Sequence, residues 1–226
     1  MTKRIVAAYA MVAACLATCS IARQRENARD LFYARPANVA AGDDAWAGVR
    51  TSIVLRKAGE NGECVVREVN EADTFHNGDR FRLRVQANGE GYLYLFLRGD
   101  EGEAKVLFPY NTPKGRVNKL KRFQPRTIPA AETDWYRFDE EAGIERVYLF
   151  FSQKPLAELD KLVKSGEGTI SARLLDRMVA RMAGNRPLTF DEGELDDSGV
   201  GATYYVEKLE PKHDYLVRRF ELVHRP

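Results

Sequence analysis

At 226 residues the chain is long enough for one medium domain, or a small domain with an appendage. It is 44% hydrophobic and 30% charged, which excludes a fibrous or wholly disordered protein. Its 35 basic and 33 acidic residues leave a formal net charge of only +2, so nothing in the bulk charge attracts nucleic acid or an anionic membrane.

Lys3 and Arg4 form a positive amino-terminal region, and Ile5–Ala14 is an apolar run too short for a permanent span. Residues 1–18 are expected to be an export signal peptide. Two cysteines follow small residues, Cys15 after Val12-Ala13-Ala14 and Cys19 after Leu16-Ala17-Thr18. Each resembles the lipobox of bacterial lipoproteins, whose cysteine becomes the lipidated first residue. Ala14 gives Cys15 the better local match, whereas Cys19 leaves an apolar segment of more usual length; Cys19 is the expected anchor and Cys15 the alternative. Cys64 is then alone, expected as a small buried residue; with Cys15 as anchor, Cys19 and Cys64 remain to pair.

Residues 19–48 read as a tether with Leu31-Phe32-Tyr33 docked as a short helix or turn. Val49–Lys57 and Glu63–Val69 are expected to be strands joined by the Gly59–Gly62 hairpin turn. In Phe81–Gln86 apolar residues alternate with Arg82, Arg84 and Gln86, the period of a strand with one wet face. Asn88-Gly89 and Gly91 supply a turn. Gly91–Leu97 is apolar on both faces and should be a central strand covered twice. Lys105–Phe108 ends at Pro109, which has no N–H for a ladder. Trp135–Phe138 and Ile144–Phe151 complete an expected 49–155 antiparallel β-sandwich, immunoglobulin-like or related.

The period then changes. Pro155 suits a first helical turn, with Leu156, Leu159, Leu162 and Val163 on one face. Thr169 is expected to cap a second helix striped by Ile170, Leu174, Leu175, Met178 and Met182, with Arg173, Arg177 and Arg181 opposite. Phe190–Gly201 reads as an acidic, glycine-rich mobile loop, and Thr203–Lys208 with Tyr215–Val223 as a final antiparallel pair. Residues 156–226 are thus expected to be a two-helix and β-hairpin extension packed on the sandwich.

Several of these segments also carry a resemblance. ARDLFY at 28–33, GDRFRLRV at 78–85, GYLYLF at 91–96 and VLFP at 106–109 occur in order. YRFD at 136–139, GIE at 143–145 and FSQKP at 151–155 follow. This order resembles the bacterial exported domain catalogued as domain of unknown function 4384, over roughly residues 28–157. The resemblance implies a β-sandwich module, alone behind a lipoprotein signal or joined to other exported domains. It implies no activity and no site residue.

No catalytic or cofactor motif is present. His76, His213 and His224 lack metal-ligand spacing, Cys64 has no Cys-x-x-Cys neighbour, and no phosphate loop, dinucleotide fingerprint or Gly-x-Ser-x-Gly occurs. No metal and no cofactor is expected. Asp191–Asp197 gathers five carboxylates without the alternation of a calcium loop, and reads as a solvated turn. The candidate binding patch is Lys114, Arg116, Lys119, Lys121, Arg122, Phe123 and Arg126, a stretch free of acids. Behind an export signal its partner would be anionic and of the envelope, not nucleic acid; a solvated strap that protects a sheet edge accounts for the same residues. Tyr110, Trp135 and Tyr136 are candidate aromatics for an interface near it.

The expectation is an exported, lipid-anchored, non-catalytic binding or scaffolding module of the bacterial envelope, with a protein partner. By resemblance, Ser20 after Cys19 points to the outer membrane, with the inner membrane as the alternative. Two other readings stand beside it: an envelope hydrolase using Asp139 and Glu141, or His213-Asp214 with Ser152 or Ser198, and a secretion-system accessory lipoprotein. A deep pocket where those groups converge would favour the hydrolase.

Overall fold

The computed structural model describes residues 27–34, 46–59, 63–100, 102–110, 117–165, 168–183, 189–195, 201–210 and 214–226. The expected signal peptide, both candidate anchor cysteines and much of the tether lie outside the described residues. In chain order come α1 (Ala28–Ala34), β1 (Trp46–Ala58), β2 (Cys64–Val69), β3 (Phe75–His76), β4 (Arg80–Ala87), β5 (Gly91–Arg98), β6 (Ala104–Phe108) and β7 (Lys119–Leu120). Then follow β8 (Arg126–Ile128), β9 (Tyr136–Arg137), β10 (Gly143–Ser152), α2 (Ala157–Ser165) and β11 (Thr169–Ile170). The last are α3 (Ala172–Ala183), β12 (Thr189–Leu195), β13 (Gly201–Lys208) and β14 (Tyr215–Arg225).

The strands form two seven-stranded sheets packed face to face, so the chain is mainly β and a sandwich. The first sheet runs β12-β13-β1-β4-β8, with β2 also on β1 and β9 on β4. The second runs β11-β6-β5-β10-β14-β3, with β7 also on β5. Only the short β14–β3 pairing is parallel among the described strands.

Strand β1 organises the first sheet because it is long enough to serve two partners on one edge. Trp46–Thr51 pairs with β13 and Ile53–Ala58 pairs with β2, while β4 runs along the other edge. Where β2 ends and β13 begins the chains crowd: a Cβ on Gly201 would lie 2.5 Å from the Asn70 nitrogen, so only glycine fits.

Alternation decides the layers. Phe81, Leu83 and Val85 of β4, and Leu93, Leu95 and Leu97 of β5, enter the interior between the sheets. The other face of β5 presents Tyr94 and Phe96 to α2 and α3, with Leu159, Val163, Leu175, Met178 and Met182 above them. Strand β5 is therefore covered on both sides, as its uninterrupted apolar run requires. On the far side of the molecule α1 lays Leu31 and Phe32 on Trp46, Tyr204 and Val206 of the first sheet. A Cβ on Gly48 would lie 2.8 Å from the Phe32 ring, so that glycine admits the helix.

Four expectations are corrected. Thr203–Lys208 and Tyr215–Val223 do not pair with each other: β13 joins the first sheet and β14 the second. They face one another across the interior, where Tyr205 stacks on Phe220 at 5.9 Å between ring centroids. Half of the supposed Phe190–Gly201 loop is strand, since β12 hydrogen-bonds along β13 from Thr189 to Leu195 and makes the hairpin with that partner. Thr169 does not cap a helix; with Ile170 it pairs with Lys105 and Ala104, and the carbonyl of Ser171 accepts the first bonds of α3 from Leu174 and Leu175. Cys64 is exposed rather than buried, because β2 is an edge strand whose first four residues face solvent.

Candidate binding face

The outer face of the first sheet is built from the wet positions of its strands. Arg80, Arg82 and Arg84 stand on β4 opposite in phase to the interior residues, Arg50 and Arg56 do so on β1, and Arg137 on β9. Register sets Arg137 opposite Arg80 and Arg80 opposite Arg56, with Val66 of β2 beyond. The next row is Arg82–Val54–Glu68, and the next Thr127–Arg84–Ser52. Like charges directly opposite on neighbouring strands repel, so the first row needs compensation.

Most of these guanidiniums have it. Glu68 is the carboxylate at the centre of the face: its Oε2 lies 2.9 Å from Arg84 Nη1, its Oε1 lies 3.7 Å from Arg50 Nη1, and the Ser52 hydroxyl donates to it. Arg82 donates to the carbonyls of Asp134 and Glu132 and sits 4.2 Å from the centroid of the Trp135 ring. Arg56 lies 5.7 Å from the same ring and donates from Nε to Cys64 Sγ at 2.8 Å. Arg137 reaches Glu140 at 2.5 Å. Arg80, in the middle of the row, is exposed and its side chain makes no hydrogen bond or ion pair among the described residues. Between Arg56 and Arg80 lies an open cleft of about 270 Å³, also lined by Cys64, Gly78 and Glu63, and Glu63 forms no ion pair there among the described residues.

The basic stretch expected from the sequence lies elsewhere. Lys114 and Arg116 fall outside the described residues. From Lys119 to Arg126 the chain is a strap between the sheets, since β7 bonds to β5 and β8 to β4. Lys119 is paired with Glu90 at 2.9 Å, and holds that carboxyl below its ordinary pKa. Arg122 lies over Phe123, and Arg126 over Phe108, at 4.7 and 5.1 Å from the ring centroids. Phe123, with φ of 55°, packs its ring 5.7 Å from both Phe32 and Tyr33 of α1. Lys121 and Arg122 are exposed, but the patch is divided, its aromatic member anchoring the helix. Of the expected interface aromatics, Trp135 belongs to the arginine face. Tyr110 and Tyr136 pack against the interior, and burial raises the pKa of both hydroxyls.

The hydrolytic candidates are also separated. Asp139 and Glu141 are on the exposed turn before β10. His224 has its Nε2 4.0 Å from Asp139, yet it is buried, stacked on Phe138 at 4.9 Å, with Nδ1 2.9 Å from Asn77 Oδ1. Ser152 is at the opposite end of β10, buried, with its hydroxyl 3.5 Å from the Asp214 carbonyl. His213 and Ser198 lie outside the described residues, as do the side chains of most of Asp191–Asp197. Among the described residues no three His, Cys, Asp or Glu side chains are arranged to hold a metal ion.

The arginine face was not singled out from the sequence. Its signal was present as arginines at period two in RFRLR, but the placement of β1 and β9 beside them was not. No curated protein and no solved structure matches the chain. Residues 74–155, from just before β3 to just past β10, match the family model described as "Domain of unknown function (DUF4384)", so this stretch, which carries Arg80, Arg82, Arg84, Trp135 and Arg137 but not Arg50, Arg56 or Glu68, is similar to that domain.

Proposed function

We propose that the chain is an exported, lipid-anchored, non-catalytic binding or scaffolding module of the bacterial envelope, and that it engages a protein partner through the outer face of its first sheet. Anchoring rests on the signal-like amino terminus and on Cys19, with Cys15 as the alternative. The observation that carries the binding reading is the row Arg137–Arg80–Arg56: three guanidiniums directly opposite one another on an uncovered sheet face, with the central one unpartnered among the described residues. A fold gains nothing from such a row, whereas an anionic partner does. The hydrolase reading has less support: Asp139 and Glu141 stand on an exposed turn, and the Ser152 hydroxyl is buried, 3.5 Å from the Asp214 carbonyl rather than from its carboxylate.

The test is to express the full gene in a bacterial envelope and determine two things. Mass spectrometry of the mature amino terminus should find an acylated cysteine at position 19 or 15. Cross-linking from the first-sheet face should then trap a recurrent envelope protein, and replacing Arg80 and Arg137 together by glutamine should abolish the adduct. An unprocessed, unacylated chain, or cross-linking unchanged in the double variant, would overturn the proposal.

A further inference from the structure

We infer that the cleft between Arg56 and Arg80 is the seat of one carboxylate side chain, an aspartate or glutamate of the protein partner. This rests on the binding-module reading and adds the chemistry at the centre of the contact. Three features carry it: charge, geometry and size.

The charge argument comes from the register. Arg80 has an arginine directly opposite on each neighbouring strand, and its own guanidinium has no ion pair among the described residues. Of the described carboxylates nearby, Glu68 is committed to Arg84 and Arg50, Glu140 to Arg137 and Asp79 to Lys57, while Glu63 lines the cleft itself without an ion pair among the described residues. A carboxylate entering between Arg56 and Arg80 meets two guanidiniums and relieves their repulsion.

The geometric argument is that the two facing cations are arginines and that Arg56 is held, while Lys57, which also lines the cleft, is taken by Asp79 at 3.4 Å. Arg56 is fixed by its bond to Cys64 Sγ and by the Trp135 ring, which also carries Arg82. Stacking on an aromatic face leaves guanidinium edges free to donate in the plane, the fork that fits a planar carboxylate through two parallel bonds. An anionic bilayer asks only for charge near its surface, which flexible lysines supply as well; the pinned fork of Arg56 favours a single oriented group. As for size, about 270 Å³ is below the usual range for a pocket that engulfs a whole small ligand, and the cleft is open. It suits one side chain presented from a larger surface.

The experiment uses the full mature chain with nitrogen-15 in its arginines. The Nε–H signals are followed while a capped tetraglutamate peptide is added, with capped tetraglutamine as control and phosphatidylglycerol vesicles as a separate arm. Tetraglutamate should move the Arg80 and Arg56 signals, and Arg80→Gln should weaken that binding about tenfold, the scale of one charge-assisted hydrogen-bonding group. Arg80→Lys should recover part of it. Because Arg80→Gln also removes the repulsion from Arg56 and Arg137, its Tm should be equal to or above that of the wild type, which a merely structural arginine would not give. Equal tetraglutamate binding by wild type and Arg80→Gln, or signals that move only with vesicles, would overturn the inference. If cross-linking to the envelope partner persists in Arg80→Gln, the seat is not the partner contact, and the inference falls while the module reading stands. If Arg80 takes tetraglutamate but the wild type traps no envelope protein, the module reading falls and the carboxylate seat remains.

Discussion

Glu145 shares the inward phase of Val147 and Leu149 on β10, at the end of the sandwich where Asp139, Asp100 and His224 gather. Burial, followed by repulsion from Asp139, raises its pKa above the ordinary 4.5, with His224 and Lys105 pulling the other way. A carboxyl whose folded pKa is raised binds its proton more tightly in the native state. Its contribution to stability is therefore fully present in acid, below the unfolded value, and is lost as pH rises through the raised folded value. Glu145→Gln keeps the neutral form at every pH. Its Tm should match the wild type near pH 3 and exceed it at pH 7, the gap opening above about pH 4.5. A Tm difference that is constant across that range would contradict this. None of this was legible in the sequence. GIERVYLFF declares a strand, and the alternation even puts Glu145 in phase with the interior, but the charges that surround its carboxyl, Asp139, His224, Lys105 and Asp100, come from other parts of the chain.

Elements were easier to recognise than their neighbours. Strand β4 is found with its arginines outward and its apolar residues inward, because a period of two has one meaning when one face must be buried. Strands β13 and β14 were equally visible as strands, yet sequence alternation cannot distinguish two strands that pair edge to edge from two that face each other across a core. What separates them physically is a polar clamp. Arg218 of β14 and Glu207 of β13, both 3% exposed, meet at 2.7 Å, and Arg218 also donates to the carbonyls of Val217 and Val206. The clamp ties the two sheets together where the loop between these strands crosses from one to the other. Removing one partner of a buried ion pair takes from the other charge its compensating guanidinium, so Arg218→Met should destabilise by about 3–5 kcal/mol in denaturant unfolding. The double variant Arg218→Met with Glu207→Leu should recover most of that loss. Additive losses in the double variant would show that the two residues act independently.

At the scale of the molecule, the change of period at Pro155 looks in the sequence like a division between a sandwich and an extension. The interior does not respect it. Tyr205, Leu216, Phe220 and Leu222 lie in the same cluster as Val49, Leu83, Leu95 and Val147, and β14 pairs with β10 along its whole length from Gly143 to Ser152. The stretch similar to the known domain has a related gap, because β1 precedes it and β13 and β14 follow it. In this chain the strands on either side of that stretch supply the middle of the first sheet and an internal strand of the second. Fully burying one large apolar side chain contributes roughly 1.5–3 kcal/mol, and whole domains are stable by only about 5–15 kcal/mol. Deleting residues 156–226 withdraws at least four such side chains, leaves β10 with an unpaired edge, and uncovers Tyr94 and Phe96 where α2 and α3 had lain. A fragment of residues 46–155 should therefore lack the near-ultraviolet circular dichroism and the amide dispersion of the full chain, and expose apolar surface to a hydrophobic dye. If that fragment instead unfolds cooperatively with native dispersion, the strands after Pro155 are an addition to a sandwich that stands without them, and the long reach of the interior cluster is packing laid over an already closed core.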